Sequence, residues 1–284
     1  MASSIKIFAR IGELMQGILP DRSPFLVSGL PSRLFFSEAT IDVDAIVSAR
    51  RTFLPPKAQL ALDLFARRNY RPIALPPIRL RSNIPPGKGL SSSSADILSV
   101  IYLANDFCEA GMTEEEIYSL ATRVEPTDPC LSDEIVVFRQ HTGASEGTLR
   151  LPPLTMLYFD AAPDRHVDTV SLRRHYDRKA SGFFQSLLHR FLQAAEHSNY
   201  PALFDCITHS ALYNQTVMPL PRFEEYHRLA IQMQAGLMIA HSGTIIGLLM
   251  RPEQTAELFP MIETMANRYT RTEIYKEQYF SPVL

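Results

Sequence analysis

Between Ile84 and Asp96 the chain reads Ile-Pro-Pro-Gly-Lys-Gly-Leu-Ser-Ser-Ser-Ser-Ala-Asp, and two different periodicities flank this run. Ahead of it, Ile78-Arg79-Leu80-Arg81-Ser82 alternates apolar and polar residues, the pattern of a half-buried strand. Behind it, Ile97, Val100, Ile101, Ala104 and Phe107 recur at helical spacing. The run therefore predicts strand, glycine loop and helix in succession. Gly87 and Gly89 allow the backbone to approach a ligand and to reach positive φ. Ser91, Ser92 and Ser93 supply hydroxyls able to cap the helix start. A helix N-terminus presents free N–H groups and the positive end of the dipole, which favours an anion, most commonly phosphate. A Ser- and Gly-rich segment can also be a plain loop. The run is neither a Walker loop, since no Gly-Lys-Ser/Thr follows a four-residue gap, nor a dinucleotide fingerprint, since the third glycine is missing.

With 284 residues the chain is long enough for one large domain or two packed lobes. A net charge of −2 argues against a nucleic-acid surface as the main function. Arg173-Arg174 reads as a solvated face. Cys108, Cys130 and Cys206 are isolated, so neither a disulfide framework nor a zinc site is indicated, and such usage suits a reducing cytosol. Lys6, Arg10 and Glu13 interrupt any secretory core, and no apolar run approaches the roughly 18 residues of a membrane helix. These features predict a cytoplasmic protein with neither nucleic acid nor membrane as partner.

Along the chain, Ile5 to Arg10 alternates as a first strand, and Phe25–Leu30 and Ser37–Val47 read as further strands. Pro55-Pro56 breaks the pattern before a helix over Lys57–Arg68. Thr113-Glu114-Glu115-Glu116 outlines a capping box for a helix running to Glu125, which Pro126 terminates. Strands are expected over Glu134–Phe138, Leu154–Asp160 and Arg271–Tyr279. Helices are expected over Phe183–Ala195, Pro201–Tyr213, Arg222–Met233 and Glu253–Asn267, their apolar stripes being core.

Chemistry concentrates in two further places. Glu125-Pro126-Thr127-Asp128-Pro129 sets two carboxylates around a rigid turn, where Asp128 either serves the chemistry or makes a turn hydrogen bond. Gly236 to Met250 reads as strand, glycine turn and strand, with His241-Ser242-Gly243-Thr244 at the turn. Neighbouring strand residues face opposite ways, so His241 and Ser242 are not a hydrolase pair. His241 alone is either a ligand-facing or a satisfied structural group.

Pro85-Pro86-Gly87-Lys88-Gly89-Leu90-Ser91-Ser92-Ser93-Ser94-Ala95 resembles the phosphate-loop motif Pro-x-x-x-Gly-Leu-x-Ser-Ser-Ala of the superfamily of galactokinase, homoserine kinase, mevalonate kinase and phosphomevalonate kinase (the GHMP kinases). Ile11-Gly12-Glu13-Leu14-Met15-Gln16-Gly17 is similar to the family's first motif, a strand leading into a Gly-Glu turn near the acceptor. It departs from the commoner Gly-Glu-His. The segment around His241 is similar to the third, glycine-rich motif. The wording of all three looks closest to the propanediol-utilisation L-threonine kinases of cobalamin synthesis.

The resemblance implies a two-lobe α+β fold, with an N-terminal lobe of mixed sheet and helices over 1–150 and a C-terminal α/β sandwich lobe over 151–284. It implies an ATP- and Mg2+-dependent kinase that phosphorylates the side chain of a free amino acid, L-threonine first. Homoserine, ornithine and a non-catalytic binder of ATP or amino acid are the alternatives, and a homodimer is left open. Pro86, Gly87, Lys88, Gly89, Leu90, Ser91, Ser92, Ser93 and Ser94 would hold ATP, and Ser93 and Glu125 the magnesium. Glu13, Gln16, His241, Ser242 and Gly243 would face the acceptor, Glu13 and Gln16 being otherwise turn-stabilising residues. Asp128 would be the base, and Lys88 would either add charge at the transferred group or be a solvated loop lysine.

Overall fold

The computed structural model describes residues 4–42, 44, 53–68, 75, 77–167 and 180–281. β1 (Ser4–Ile18) and β2 (Pro24–Ile41) form one long antiparallel hairpin. Register shifts between Phe8 and Arg10 and between Glu13 and Met15 bulge β1 in the middle. The Gly-Glu segment expected as a turn is therefore bulged strand; bulges re-aim side chains, and this one carries Glu13. The two strands expected over Phe25–Leu30 and Ser37–Val47 are a single strand ending at Ile41; most of 42–47 lies outside the described residues, as do Arg173-Arg174.

β3 (Ile78–Ser82) pairs with the far half of β2 and β4 (Ile135–Arg139) with its near half. β5 (Ala144–Leu149), which had no sequence signal, completes this five-stranded sheet. Its residues are largely exposed, so no apolar alternation marks it. α1 (Pro56–Arg68), α2 (Ser92–Phe107) and α3 (Glu114–Ala121) pack together, and α2 lies against β1 and β2. The capping box of α3 is formed: Glu116 N–H donates to Thr113 Oγ1 at 3.3 Å and Thr113 N–H to Glu116 Oε2 at 2.9 Å. The helix ends at Ala121, four residues before Glu125, in a run of turns.

A second sheet, in order β7-β8-β6-β9, joins β6 (Leu154–Asp160), β7 (Gly236–Ile239), β8 (Ile245–Met250) and β9 (Tyr275–Tyr279). Every strand pairing is antiparallel. β6 is buried on both faces, and its alternation divides the interior. Leu154, Met156 and Tyr158 join the main core with α4 (Ala180–Glu196) and α5 (Tyr200–Val217). Leu157 and Phe159 meet α6 (Phe223–Gln232) and α7 (Thr255–Tyr269) in a second core. β1 touches α4, α5, β7 and β8, so the five-stranded sheet and the second sheet are packed together. No described helix is long and apolar enough to cross a membrane.

Candidate active site

The run Ile84–Asp96 does what its flanking periodicities predict: β3 leads into a loop, and the loop into α2. Ser91 takes the left-handed conformation (φ +55°) and precedes the helix without a side-chain cap. The expected hydroxyl cap is thus absent, and the first-turn N–H groups face the cavity uncapped, as an anion site requires. Gly89 has φ +82°, and a Cβ there would lie 2.2 Å from the Ala240 Cβ. Opposite it, a Cβ on Gly243 would lie 2.1 Å from the carbonyl carbon and oxygen of Lys88. The Lys88 carbonyl accepts the N–H groups of Thr244 (3.0 Å) and Ile245 (3.2 Å), and Gly89 O accepts from Gly12 N–H (3.0 Å). The Gly12 and Thr244–Ile245 segments therefore clamp the glycine loop by backbone hydrogen bonds from both sides. That contact is what requires the glycines.

The cavity at the helix start is lined by Gly87, Gly89, Leu90, Ser91, Ser92, Ser93 and Ser94, by Glu13, Glu125, Pro126 and Asp128, and by Gln140 and Ser242. Sequence segments far apart thus converge on one point. Pro86, Lys88, Gln16, His241 and Gly243 do not line it. The Lys88 ammonium points instead to Asp160 Oδ2 (2.8 Å) and to the carbonyls of Pro163 (2.7 Å) and Arg165 (2.8 Å). It is neither solvated nor aimed at the anion site. Its charge is spent tying the loop to the end of β6.

Glu125 is buried, its Oε2 paired with the Lys57 ammonium of α1 at 2.5 Å. Ser94 Oγ accepts the Asp128 N–H at 3.0 Å, which pins the acidic turn to the first turn of α2. The Asp128 carboxylate accepts from Gln140 Nε2 at 2.8 Å. Burial, then the nearby Glu13 carboxylate, push its pKa up to about 6, against the opposing hydrogen bonds of Ser91 and Gln140. Asp128 is a half-buried carboxylate near other carboxylates, an arrangement typical of functional sites.

Glu13 Oε2 accepts the His241 N–H (2.9 Å) and lies 3.4 Å from His241 Nδ1. His241 Nε2 lies 3.0 Å from Ser210 Oγ, which accepts the Gln16 N–H at 3.1 Å. His241 is thus an inward group joining β1, α5 and the third-motif turn, and it orients Glu13 towards the cavity. Gln16 Nε2 donates to Gln140 Oε1 (2.8 Å).

Magnesium suits this donor set. It favours one or two carboxylates plus substrate phosphate oxygens over an all-protein cage. The cavity offers the Glu125 carboxylate beside serine hydroxyls, and no group of three or more His, Cys, Asp or Glu among the described residues forms a cage.

Several site-forming residues carried no sequence signal. Lys57 and Gln140 reach the site only through tertiary packing. Arg10, read as a strand's polar face, is 2 % exposed, and its guanidinium donates to the carbonyls of Gly29, Pro129, Ser132 and Glu134. It thereby fixes the chain just after Asp128. A larger cavity, about 660 Å³, lies between α5 and α6. There Asp205 is already paired with Arg190 and His209, and Thr208 Oγ1 with the Leu237 N–H. The segments that converge at the start of α2 do not reach this cavity, and the chemistry is not assigned there.

Residues 57–133 match the GHMP kinases N-terminal domain. Over 177 residues the chain is 27% identical to an L-threonine kinase of Citrobacter freundii, covering 61% of this chain and 62% of that one. It is 28% identical to an L-threonine kinase of Salmonella typhimurium, covering 61% and 59%. The match thus spans about three fifths of these relatives' length. Among solved structures, a Methanococcus jannaschii mevalonate kinase superposes with a TM-score of 0.70 at 12% identity, covering 98% of both chains. A homoserine kinase of Cytophaga hutchinsonii gives 0.61 at 15% identity, covering 100% of this chain and 96% of that one.

Proposed function

We propose that this chain is a kinase of the GHMP type that transfers the γ-phosphoryl group of ATP to the side-chain hydroxyl of a free amino acid, L-threonine first, a reading supported by the match of residues 57–133 to the GHMP kinases N-terminal domain. One observation carries the reading: the uncapped start of α2, the buried carboxylates Glu13 and Glu125 and the half-buried Asp128 share one cavity. An anion site beside acidic groups suits a substrate pair made of a polyphosphate and a cationic ammonium. The similarity to L-threonine kinases supports the choice of acceptor.

Phosphoryl transfer passes through a loose, anionic transition state, so positioning and charge stabilisation dominate. The N–H groups at the start of α2 and the loop backbone from Gly87 hold the phosphates. Glu125 and the Ser93 hydroxyl would hold magnesium, which neutralises charge on the phosphate oxygens when bound. Lys57 gives Glu125 its cationic partner and so holds this buried carboxylate ionised at the cavity. Glu13, oriented by His241, receives the acceptor's ammonium, and Ser242 borders the acceptor side. Asp128, its pKa pushed up to about 6 by burial and the Glu13 carboxylate, orients the acceptor hydroxyl and accepts its proton. Lys88 holds the loop in place through Asp160.

Similarity to a homoserine kinase of Desulfitobacterium hafniense, 25% identical over 66% of this chain and 67% of that one, makes homoserine the second acceptor to test. An ADP-release screen of free amino acids and amino alcohols, with mass detection of products, decides. L-Threonine should give the highest kcat/KM. A preference for homoserine would move the acceptor while keeping the chemistry, and turnover only with alcohols lacking an ammonium group would overturn the role of Glu13.

A further inference from the structure

We propose that Gln140 is a positioning residue for the phosphoryl transfer: it holds the Asp128 carboxylate towards the acceptor through a two-amide relay that begins at Gln16. Gln140 is the first residue after β4, in the tight turn to β5, and it faces the cavity. It grips the acidic turn twice. Its carbonyl accepts the Thr127 N–H at 3.1 Å, and its side-chain Nε2 donates to Asp128 Oδ1 at 2.8 Å.

The orientation of the Gln140 amide is dictated by its partners. A carboxylate only accepts, so the NH2 end must face Asp128. The amide oxygen then needs a donor, and Gln16 Nε2 supplies one at 2.8 Å. Gln16 is held in turn, because its backbone N–H donates to Ser210 Oγ, the hydroxyl that meets His241. The relay therefore runs from the third-motif turn and α5, through β1, to the β4–β5 turn and Asp128. The relay takes Oδ1 of Asp128, and with Ser91 as a second donor it fixes the plane of the carboxylate at the cavity. Around Asp128 stand Glu13 from β1, Glu125 with its partner Lys57 from α1, and Ser91 at the start of α2. Among these, Ser91 and the Gln140 amide are the neutral donors to the carboxylate.

This inference rests on the kinase reading above, and its test is built to fail separately. Gln140→Leu should lower kcat about tenfold while KM for both substrates stays within a few-fold, as for an interaction used in the transition state. Gln140→Glu keeps the shape but sets an acceptor against Asp128, and should lose more activity than Gln140→Leu. A space-filling role predicts the reverse order. In an Asp128→Asn background, Gln140→Leu should cost almost nothing further, whereas independent roles would multiply. A readout without turnover is the side-chain amide NMR signal of Gln140 in the full-length chain. It should exchange slowly with water and shift on Asp128→Asn. A rapidly exchanging amide, or one indifferent to Asp128→Asn, overturns the relay, as do multiplicative losses in the double variant. If no amino acid is phosphorylated while the amide signature is present, the relay stands and the acceptor assignment falls.

Discussion

Asp128 shows how a side chain's surroundings decide its chemistry. In sequence it is an Asp between Thr and Pro, as fit for a turn as for catalysis. In the structure it is desolvated beside Glu13 and Glu125, and its pKa rises to about 6 from 3.8. A folded-state pKa above the unfolded value means that the folded state holds the proton more tightly between these limits. Wild-type stability should therefore fall as pH rises from about 4 to about 6 and then level off, as far as this group is concerned. Asp128→Asn removes that dependence. The variant should melt at a higher temperature than wild type above pH 6, and the gap should close below pH 4. Its kcat should drop at least about a hundredfold, the worth of a general base. Melting curves across pH, paired with steady-state kinetics, check both. A variant that is less stable at every pH and keeps its kcat would return Asp128 to a turn role.

The strand–loop–helix unit was legible in sequence because periodicity switches from two to 3.6 across it, and the structure has β3, the loop and α2 there. The α3 cap was legible for a similar reason: its signal lies within four residues. What failed to show was non-local. β5 is exposed and short, and β1 bulges where a turn was expected. The burial of Arg10 depends on carbonyls more than a hundred positions away. Lys88 was legible only as a loop lysine, fit either to add charge at a transferred group or to be solvated, and Asp160 pairs with it instead. The glycine clamp gives a direct test of the element. Gly243→Ala places a methyl against the Lys88 carbonyl, 2.1 Å from where its Cβ would sit, and Gly89→Val adds a branched side chain at φ +82°. Both should weaken ATP binding tenfold or more, roughly 1.4 kcal/mol, by calorimetric titration of folded variants. Unchanged affinity in both would remove the loop from the nucleotide site.

Across the whole molecule, the candidate site exists only because two sheets meet. β1 brings Glu13, the segment between α3 and β4 brings Glu125 and Asp128, and the β7–β8 turn brings Ser242, with Lys57, Gln16 and His241 bonded behind them. Buried Glu277 of β9 seals the junction at another point by accepting from Ser32 Oγ (2.8 Å) and the Arg33 N–H (2.9 Å) of β2. The three family-like segments could be read from the chain, whereas the distances among their side chains could not, since burial and tertiary packing set them. The central claim is that this junction moves a phosphoryl group from ATP to an amino-acid hydroxyl. Phosphorus NMR of the protein with ATP, magnesium and L-threonine follows that transfer directly. A phosphomonoester signal should grow as the γ-phosphate signal falls, and the Gly89→Val variant should not produce it. Bound ATP that stays intact, or that yields only inorganic phosphate with every amino acid offered, would contradict the claim.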